Sequence, residues 1–246
     1  MPTCLVVQHA EPEGPYAIGD ALRSAGVTVD VRRVFDGDRL PADLQGFDGL
    51  VVMGGPASAT TDDGFPTRRQ ELDLLAGALG GELPVLAVCL GAQLLALAAG
   101  GSVRAGEAGP EIGWGGVELN GDASTDPLLA GLPTDPTVLH WHGDTFALPS
   151  TATHLATSAR YPNQAFRVGD RAWGLQFHLE VNAEAVDAFL AAFGHEVRTA
   201  GLDPEAIRAD SAPCLRTLAP LRDRVVDRFA SLVVGLHRDP EPAGRH

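Results

Sequence analysis

Three side chains in this sequence are of types that together can cleave an amide: Cys89, His178 and Glu180. Cys89 ends a short apolar run, Pro84-Val85-Leu86-Ala87-Val88, which reads as a buried parallel strand. Leu90 to Ala99 then reads as a helix stopped at Gly100-Gly101. A nucleophile on so tight a strand-to-helix turn has its side chain pushed out at the carboxyl edge of the sheet. The first amides of the helix point at the same spot, and the helix dipole favours a thiolate there. A cysteine is more often buried as a small inert hydrophobe. Its place at a strand end, followed by Gly91, favours the reactive role.

The second segment is Ala172-Trp173-Gly174-Leu175-Gln176-Phe177-His178-Leu179-Glu180, which reads as another strand running out at its carboxyl end. Residues two apart on a strand leave the same face, so Glu180 can hold the His178 imidazole in one tautomer while the other ring nitrogen faces a nucleophile. Taken alone, a His-x-Glu pair is more often a satisfied surface pair. Joined to the cysteine elbow, it supplies a base and the group that orients it.

Cys89-Leu90-Gly91-Ala92-Gln93 after an apolar strand, with Gln176-Phe177-His178-Leu179-Glu180 downstream, resembles the class I glutamine amidotransferases. Within them it is most similar to stand-alone proteins related to the amidotransferase half of guanosine-monophosphate synthetase. The resemblance covers residues 3 to 194 and includes Met53-Gly54-Gly55-Pro56 and Trp141-His142-Gly143-Asp144. It implies a flavodoxin-like α/β fold and hydrolysis of the γ-amide of glutamine through a γ-glutamyl thioester on Cys89. His178 is the implied proton carrier, with Glu180 behind it. The backbone amides of Gly55 and Leu90 are the implied oxyanion hole, because charge building on the carbonyl oxygen needs preorganised donors. Glycine at 55 is expected to let the main chain come close and adopt positive φ. Gly54, Gln93, Gly143 and Asp144 are the implied substrate contacts, Asp144 supplying the charge an ammonium group wants, although a turn-forming role for Asp144 is as good a reading. The departure is Ala87, where the family most often has glycine; its methyl is expected to shift the elbow slightly without abolishing the site.

The elements that must carry these residues alternate along the chain. Cys4–Gln8, Val27–Val34 and Gly49–Met53 read as strands, Ala17–Ala25 and Arg68–Leu79 as helices, all before the Cys89 elbow. This order predicts a mostly parallel central sheet flanked by helices. Beyond it, short runs at Val103–Arg104, Gly115–Leu119, Thr137–His140, His154–Thr157, Gln164–Val168 and Trp173–Phe177 predict an antiparallel extension. Asn182 to Phe193 is a helix with Asn182 as N-cap. We expect an amidotransferase domain over residues 1–195 and a C-terminal helical extension over 196–246. In that extension Asp203-Pro204-Glu205 marks a helix start. The apolar spacing of Leu215 to Leu236 suits packing on the domain's flank better than docking a partner, and Arg238 to His246 is polar and expected to fray.

Composition narrows the partners. With 45% apolar and 20% charged residues the 246-residue chain is ordinary globular material. A formal charge of −14 argues against nucleic acid. No apolar run is long enough to span a bilayer. Cys4, Cys89 and Cys214 cannot close a disulfide framework, and Met1-Pro2-Thr3 leads straight into a strand, so a reducing cytoplasm is expected. His140 and His142 could ligate a metal, but no cysteine or acidic partner at familiar spacing accompanies them, so neither metal nor cofactor is expected. His9, followed by Glu11 and Glu13 after the first strand, could line the mouth of a pocket, but a solvated loop is the better reading.

Three functions fit. The first is a glutaminase-type amidotransferase; as no phosphate-cradling loop or ATP-pyrophosphatase region is present, it would need a synthetase subunit in trans. The second is a stand-alone γ-glutamyl hydrolase acting on γ-glutamyl amines or peptides. The third is a non-catalytic regulatory module on the same fold, against which the intact Cys89, His178 and Glu180 argue.

Overall fold

In the computed structural model, which describes residues 1–238, the chain forms an eight-stranded sheet with helices on both faces. The first half supplies β1 (Thr3–Gln8), α1 (Tyr16–Ser24), β2 (Thr28–Arg33), β3 (Gly49–Val52), α2 (Arg68–Gly80), β4 (Val85–Val88) and α3 (Leu90–Ala98). The second half supplies β5 (Ser102–Ala105), β6 (Glu111–Gly116), β7 (Glu118–Leu119), β8 (Thr137–His142), β9 (Asp144–Ala147), β10 (Ala152–Thr157), β11 (Ala165–Val168), β12 (Ala172–Leu175), α4 (Ala183–Thr199) and α5 (Pro204–Arg238).

The sheet order is β2-β1-β3-β4-β12-β11-β10-β7. Neighbours from β2 to β12 pair in parallel, and from β12 onward the pairing is antiparallel. The expected parallel core with an antiparallel extension is therefore one continuous sheet, with the ribbons β5–β9 and β6–β8 beside it. Strand periodicity sorts the core into two layers. Cys4 and Val6 of β1 and Leu86 and Val88 of β4 join the layer under α1, α4 and α5. Leu5 and Val7, with Val85 and Ala87, join the layer under α2 and α3. Strands buried on both faces read as unbroken apolar runs, which is why β1, β3 and β4 were recognisable.

Three expectations change. The single strand predicted at 115–119 is two, β6 and β7, because Gly113 (φ 99°), Gly115 and Gly116 mask the strand character of Glu111–Gly116. β9 escaped notice because Asp144 reads as a turn residue. The strand predicted through Phe177 stops at Leu175: the chain then leaves β12, and His178 forms an isolated bridge with Leu139 of β8. Asn182 caps α4 as expected, its side chain accepting from the Ala185 amide at 2.9 Å, and α4 continues past residue 195 to Thr199. The predicted C-terminal segments merge into α5, which tolerates Pro213 and Pro220 inside it. Its buried stripe of Leu218, Val225, Val226, Phe229 and Val233 packs onto α1 and α4. The polar tail from 239 to 246 lies outside the described residues.

Candidate functional site

β4 delivers Cys89 to the centre of the sheet's carboxyl edge. The residue is left-handed, φ 51° and ψ −106°, a conformation costly for anything but glycine. Close packing enforces it: a Cβ on Gly91 would come 2.1 Å from the Val52 carbonyl oxygen, so only glycine lets α3 start against β3. Ala87 leaves this geometry intact. Its buried methyl sits opposite Gly174 of β12 and Val52 of β3.

The Cys89 thiol is directed at the Trp141 carbonyl oxygen, 3.5 Å away on β8. His178 and Glu180, expected on a strand face, lie instead beyond the end of β12. Two backbone links to β8 hold the segment: the His178 amide donates to Leu139 O at 2.8 Å, and the Leu139 amide donates to His178 O at 3.4 Å. His178 Nδ1 meets Glu180 Oε1 at 2.7 Å with both residues buried, while Nε2 has no protein hydrogen-bond partner. Phe189 of α4 lies edge-on to the imidazole, with ring centroids 5.0 Å apart.

The glycine turn Gly54-Gly55 stands beside the elbow, neither residue having positive φ. What glycine gives here is close approach: a Cβ on Gly55 would lie 2.9 Å from Leu90 Cδ2 and 2.6 Å from His9 Cβ. Among the described residues, neither the Gly55 nor the Leu90 amide donates to a protein acceptor. Two free donors therefore flank the sulfur's turn.

A cavity of about 710 Å³ opens over Cys89. Gly55, Leu90, Gln93, Gly143 and Asp144 line it, so the structure brings those expected residues together around the thiol. Gly54 lies behind the wall. Gln93 already contacts Gln176, its Nε2 donating to Oε1 at 3.3 Å, and Asp144 accepts from the Ser58 hydroxyl at 3.2 Å.

Residues 14–196 match the family described as glutamine amidotransferase class-I. The chain belongs to this family. A glutamine amidotransferase-like protein of Salmonella typhimurium is 35% identical over 75% of this chain and 78% of its own length. The glutamine-hydrolysing GMP synthase of Porphyromonas gingivalis is 36% identical over 60% of the chain, a match spanning only 28% of that longer protein. A glutamine amidotransferase structure from Thermotoga maritima superposes with a TM-score of 0.83 at 31% identity, covering 94% of this chain and 98% of that one.

Sequence reasoning missed three polar residues of this site and a fourth beside it. His9 and Glu13, read as solvated loop, are buried. His9 Nδ1 donates to Gly54 O at 3.0 Å and Nε2 contacts Glu71 Oε2 at 2.7 Å, bracing the glycine turn. Burial works against protonation of that ring, but the Glu71 carboxylate outweighs it and raises the His9 pKa. Glu13 lines the cavity with Oε2 unpartnered, and burial pushes its pKa up to about 7. A Cβ on Gly54 would fall 1.8 Å from Glu13 Oε2 and 3.1 Å from His178 Cε1, which places the acid beside the imidazole. Gln176 Nε2 lies 3.7 Å from Cys89 Sγ. The fourth residue is Glu111, which β6 carries up to His140 and His142 on β8. Nothing in local spacing marks these residues, because their partners arrive from other elements.

Burial also raises the Cys89 pKa, with His178 pulling the other way. For His178 burial lowers the pKa, yet the Glu180 charge, the neighbouring Cys89 and the hydrogen bond to Glu180 together hold it well above the ordinary histidine range. A proton is thus readily held on the imidazole once the thiol has lost it.

Proposed function

We propose that this chain hydrolyses the γ-amide of glutamine through a thioester on Cys89. The observation that carries the proposal is a cysteine on a strained elbow, under an open cavity, with a buried His178–Glu180 pair behind it. The sulfur attacks the γ-carbonyl carbon, and the amides of Gly55 and Leu90 receive the charge on its oxygen. His178 gives its proton to the departing nitrogen, then takes one from the water that opens the thioester. Glu180 keeps the ring in the tautomer that allows this. Gln93, Gly143 and Asp144 shape the glutamyl subsite. The products are glutamate and ammonia, the latter passed to a synthetase subunit where one docks.

A second reading, cleavage of γ-glutamyl amines or peptides without any partner, has its own support. Asp144 and Glu196 line the cavity and, among the described residues, no arginine does, a wall suited to a cationic leaving group. The test is glutamate release by the purified chain from glutamine and from a panel of γ-glutamyl amines and peptides. A kcat within roughly 1–10³ per second on one of them supports self-sufficient hydrolysis. Turnover only when a nucleotide-dependent synthetase is added supports the amidotransferase role. Cys89→Ala must remove either activity while unfolding at the wild-type temperature; retained turnover would end the covalent mechanism.

A further inference from the structure

Beside the catalytic cavity lies a second cluster for which the chemistry above has no use. β6 and β8 pair antiparallel with Glu111 opposite His142 and Gly113 opposite His140. His140 and His142 are two apart on β8, so both rings leave the same face and meet the Glu111 side chain there. His142 Nε2 is 3.1 Å and His140 Nδ1 3.9 Å from Glu111 Oε2, and all three atoms lie within 4.8 Å of one another.

Protonation makes this arrangement unusual. His142 Nδ1 faces the Asp144 carbonyl oxygen at 3.0 Å and must therefore carry hydrogen, which leaves the neutral ring a lone pair at Nε2. His140 is buried and its Nδ1 has no hydrogen-bond partner, while the Nε2 side of the ring packs against Gly115 of β6. Glu111 accepts from the Ser158 hydroxyl through Oε1 at 2.7 Å, which leaves Oε2 turned toward the two imidazoles. With the hydrogen on His142 Nδ1, its Nε2 and the unpartnered His140 Nδ1 both turn toward the Glu111 carboxylate. Gln164 Nε2 donates to Glu111 Oε2 at 2.6 Å and lies 3.4 Å from His142 Nε2, while its buried Oε1 has no partner. A proton on His142 Nε2 would satisfy one contact and leave His140 Nδ1 and Gln164 Oε1 unmet.

We propose that Glu111, His140 and His142 form a binding site for a divalent transition-metal ion, with Zn²⁺ the best match. Ligands about 2.0–2.2 Å from a tetrahedral zinc stand roughly 3.3–3.5 Å apart, the spacing this cluster brackets. Two imidazoles and a carboxylate suit Zn²⁺ rather than Mg²⁺ or Ca²⁺. Two ligands are oriented from behind as metal ligands are, His142 by Asp144 O and Glu111 by Ser158 at 2.7 Å, and the His140 ring is packed against Gly115. The fourth position falls to water from the cavity that His142 lines, since the Gln164 atom turned to the cluster is Nε2, 3.4 Å from His142 Nε2. The ion braces β8, whose Trp141 carbonyl receives the Cys89 thiol and whose Leu139 holds His178. It takes no part in bond breaking. This assignment stands independently of the reaction proposed above.

The test uses the full chain as Cys89→Ala, so that the thiol cannot supply a competing site. Metal-free protein is titrated with ZnCl₂ by calorimetry at pH 7.5, with MgCl₂ as control, and CoCl₂ is added separately for visible spectra. We expect one equivalent of Zn²⁺ at micromolar affinity or tighter, no Mg²⁺ binding, and cobalt bands typical of nitrogen and oxygen ligands. Glu111→Gln and His140→Gln should each weaken Zn²⁺ at least 100-fold and abolish the Zn²⁺-dependent rise in Tm. Absence of stoichiometric binding, or Zn²⁺ affinity unchanged in both variants, overturns the site and leaves a protonated His142 as the partner of Glu111. If the variants do not fold, the cobalt spectrum of Cys89→Ala decides: a featureless titration overturns the proposal.

Discussion

At the residue scale, His178 and Glu180 contribute unequally. In the proposed reaction His178 carries the proton, whereas Glu180 holds its tautomer and orientation through one 2.7 Å contact. Glu180→Gln should therefore lower kcat less than His178→Ala, by a margin on the order of tenfold or more. Steady-state kinetics showing the reverse ranking would point to Glu180 as the direct base. Glu13 offers a test through stability. Burial raises its pKa from 4.5 to about 7 in the folded chain. Across that window the unfolded chain has released the proton and the folded chain retains it, so the slope of stability against pH is negative. Wild type should lose roughly 3 kcal/mol from this group on going from pH 4.5 to 8, the separation of the two pKa values at about 1.4 kcal/mol for each pH unit. Glu13→Gln, with no proton to release, should be spared that loss. Denaturant unfolding at the two pH values checks this, and parallel behaviour of the two proteins refutes it.

At the scale of elements, the elbow depends on α3 touching β3. Gly91→Ala would drive a methyl against the Val52 carbonyl, which is main chain in a central strand and has little room to yield. We expect a loss of roughly 1–3 kcal/mol or more, seen as a Tm lower by several degrees. Gly77→Ala, on α2 with nothing within 4 Å, is the matched control and should be neutral or slightly stabilising. An unchanged Tm for Gly91→Ala would mean that the elbow relaxes more easily than its packing indicates. The same scale explains what could be read from sequence. β1, β3, β4 and α3 announce themselves because apolar runs buried on both faces have a plain signature, and Cys89 is legible as the point where one such run turns into a helix. β6 is not legible, since three of its six residues are glycine. His9 and Glu13 were misread as solvent-facing because polar type argues for exposure. Only the fold reveals that Glu71, carried in by α2, and Gly54 enclose the histidine.

At the scale of the whole molecule, the site is assembled from segments far apart in sequence around the middle of one sheet. β4 brings the sulfur, the loop after β3 brings the glycine turn, and β8 with the segment after β12 brings the carbonyl and the imidazole. α5 packs on α1, α4, β6 and β8, and among the described residues no helix is long and apolar enough to cross a membrane. The isolated bridge between Leu139 and His178 has a dynamic consequence. Although His178 lies outside any strand, its amide is bonded to the β8 backbone at 2.8 Å. That N–H can meet solvent only when the segment separates from β8, which would also displace the imidazole from Cys89. In heavy water the His178 amide should therefore exchange as slowly as the Leu86 or Val51 amides of the central strands. Exchange at the rate of an exposed loop would reveal a local opening. The deuterium clock of this one amide thus measures how often the candidate base leaves its post.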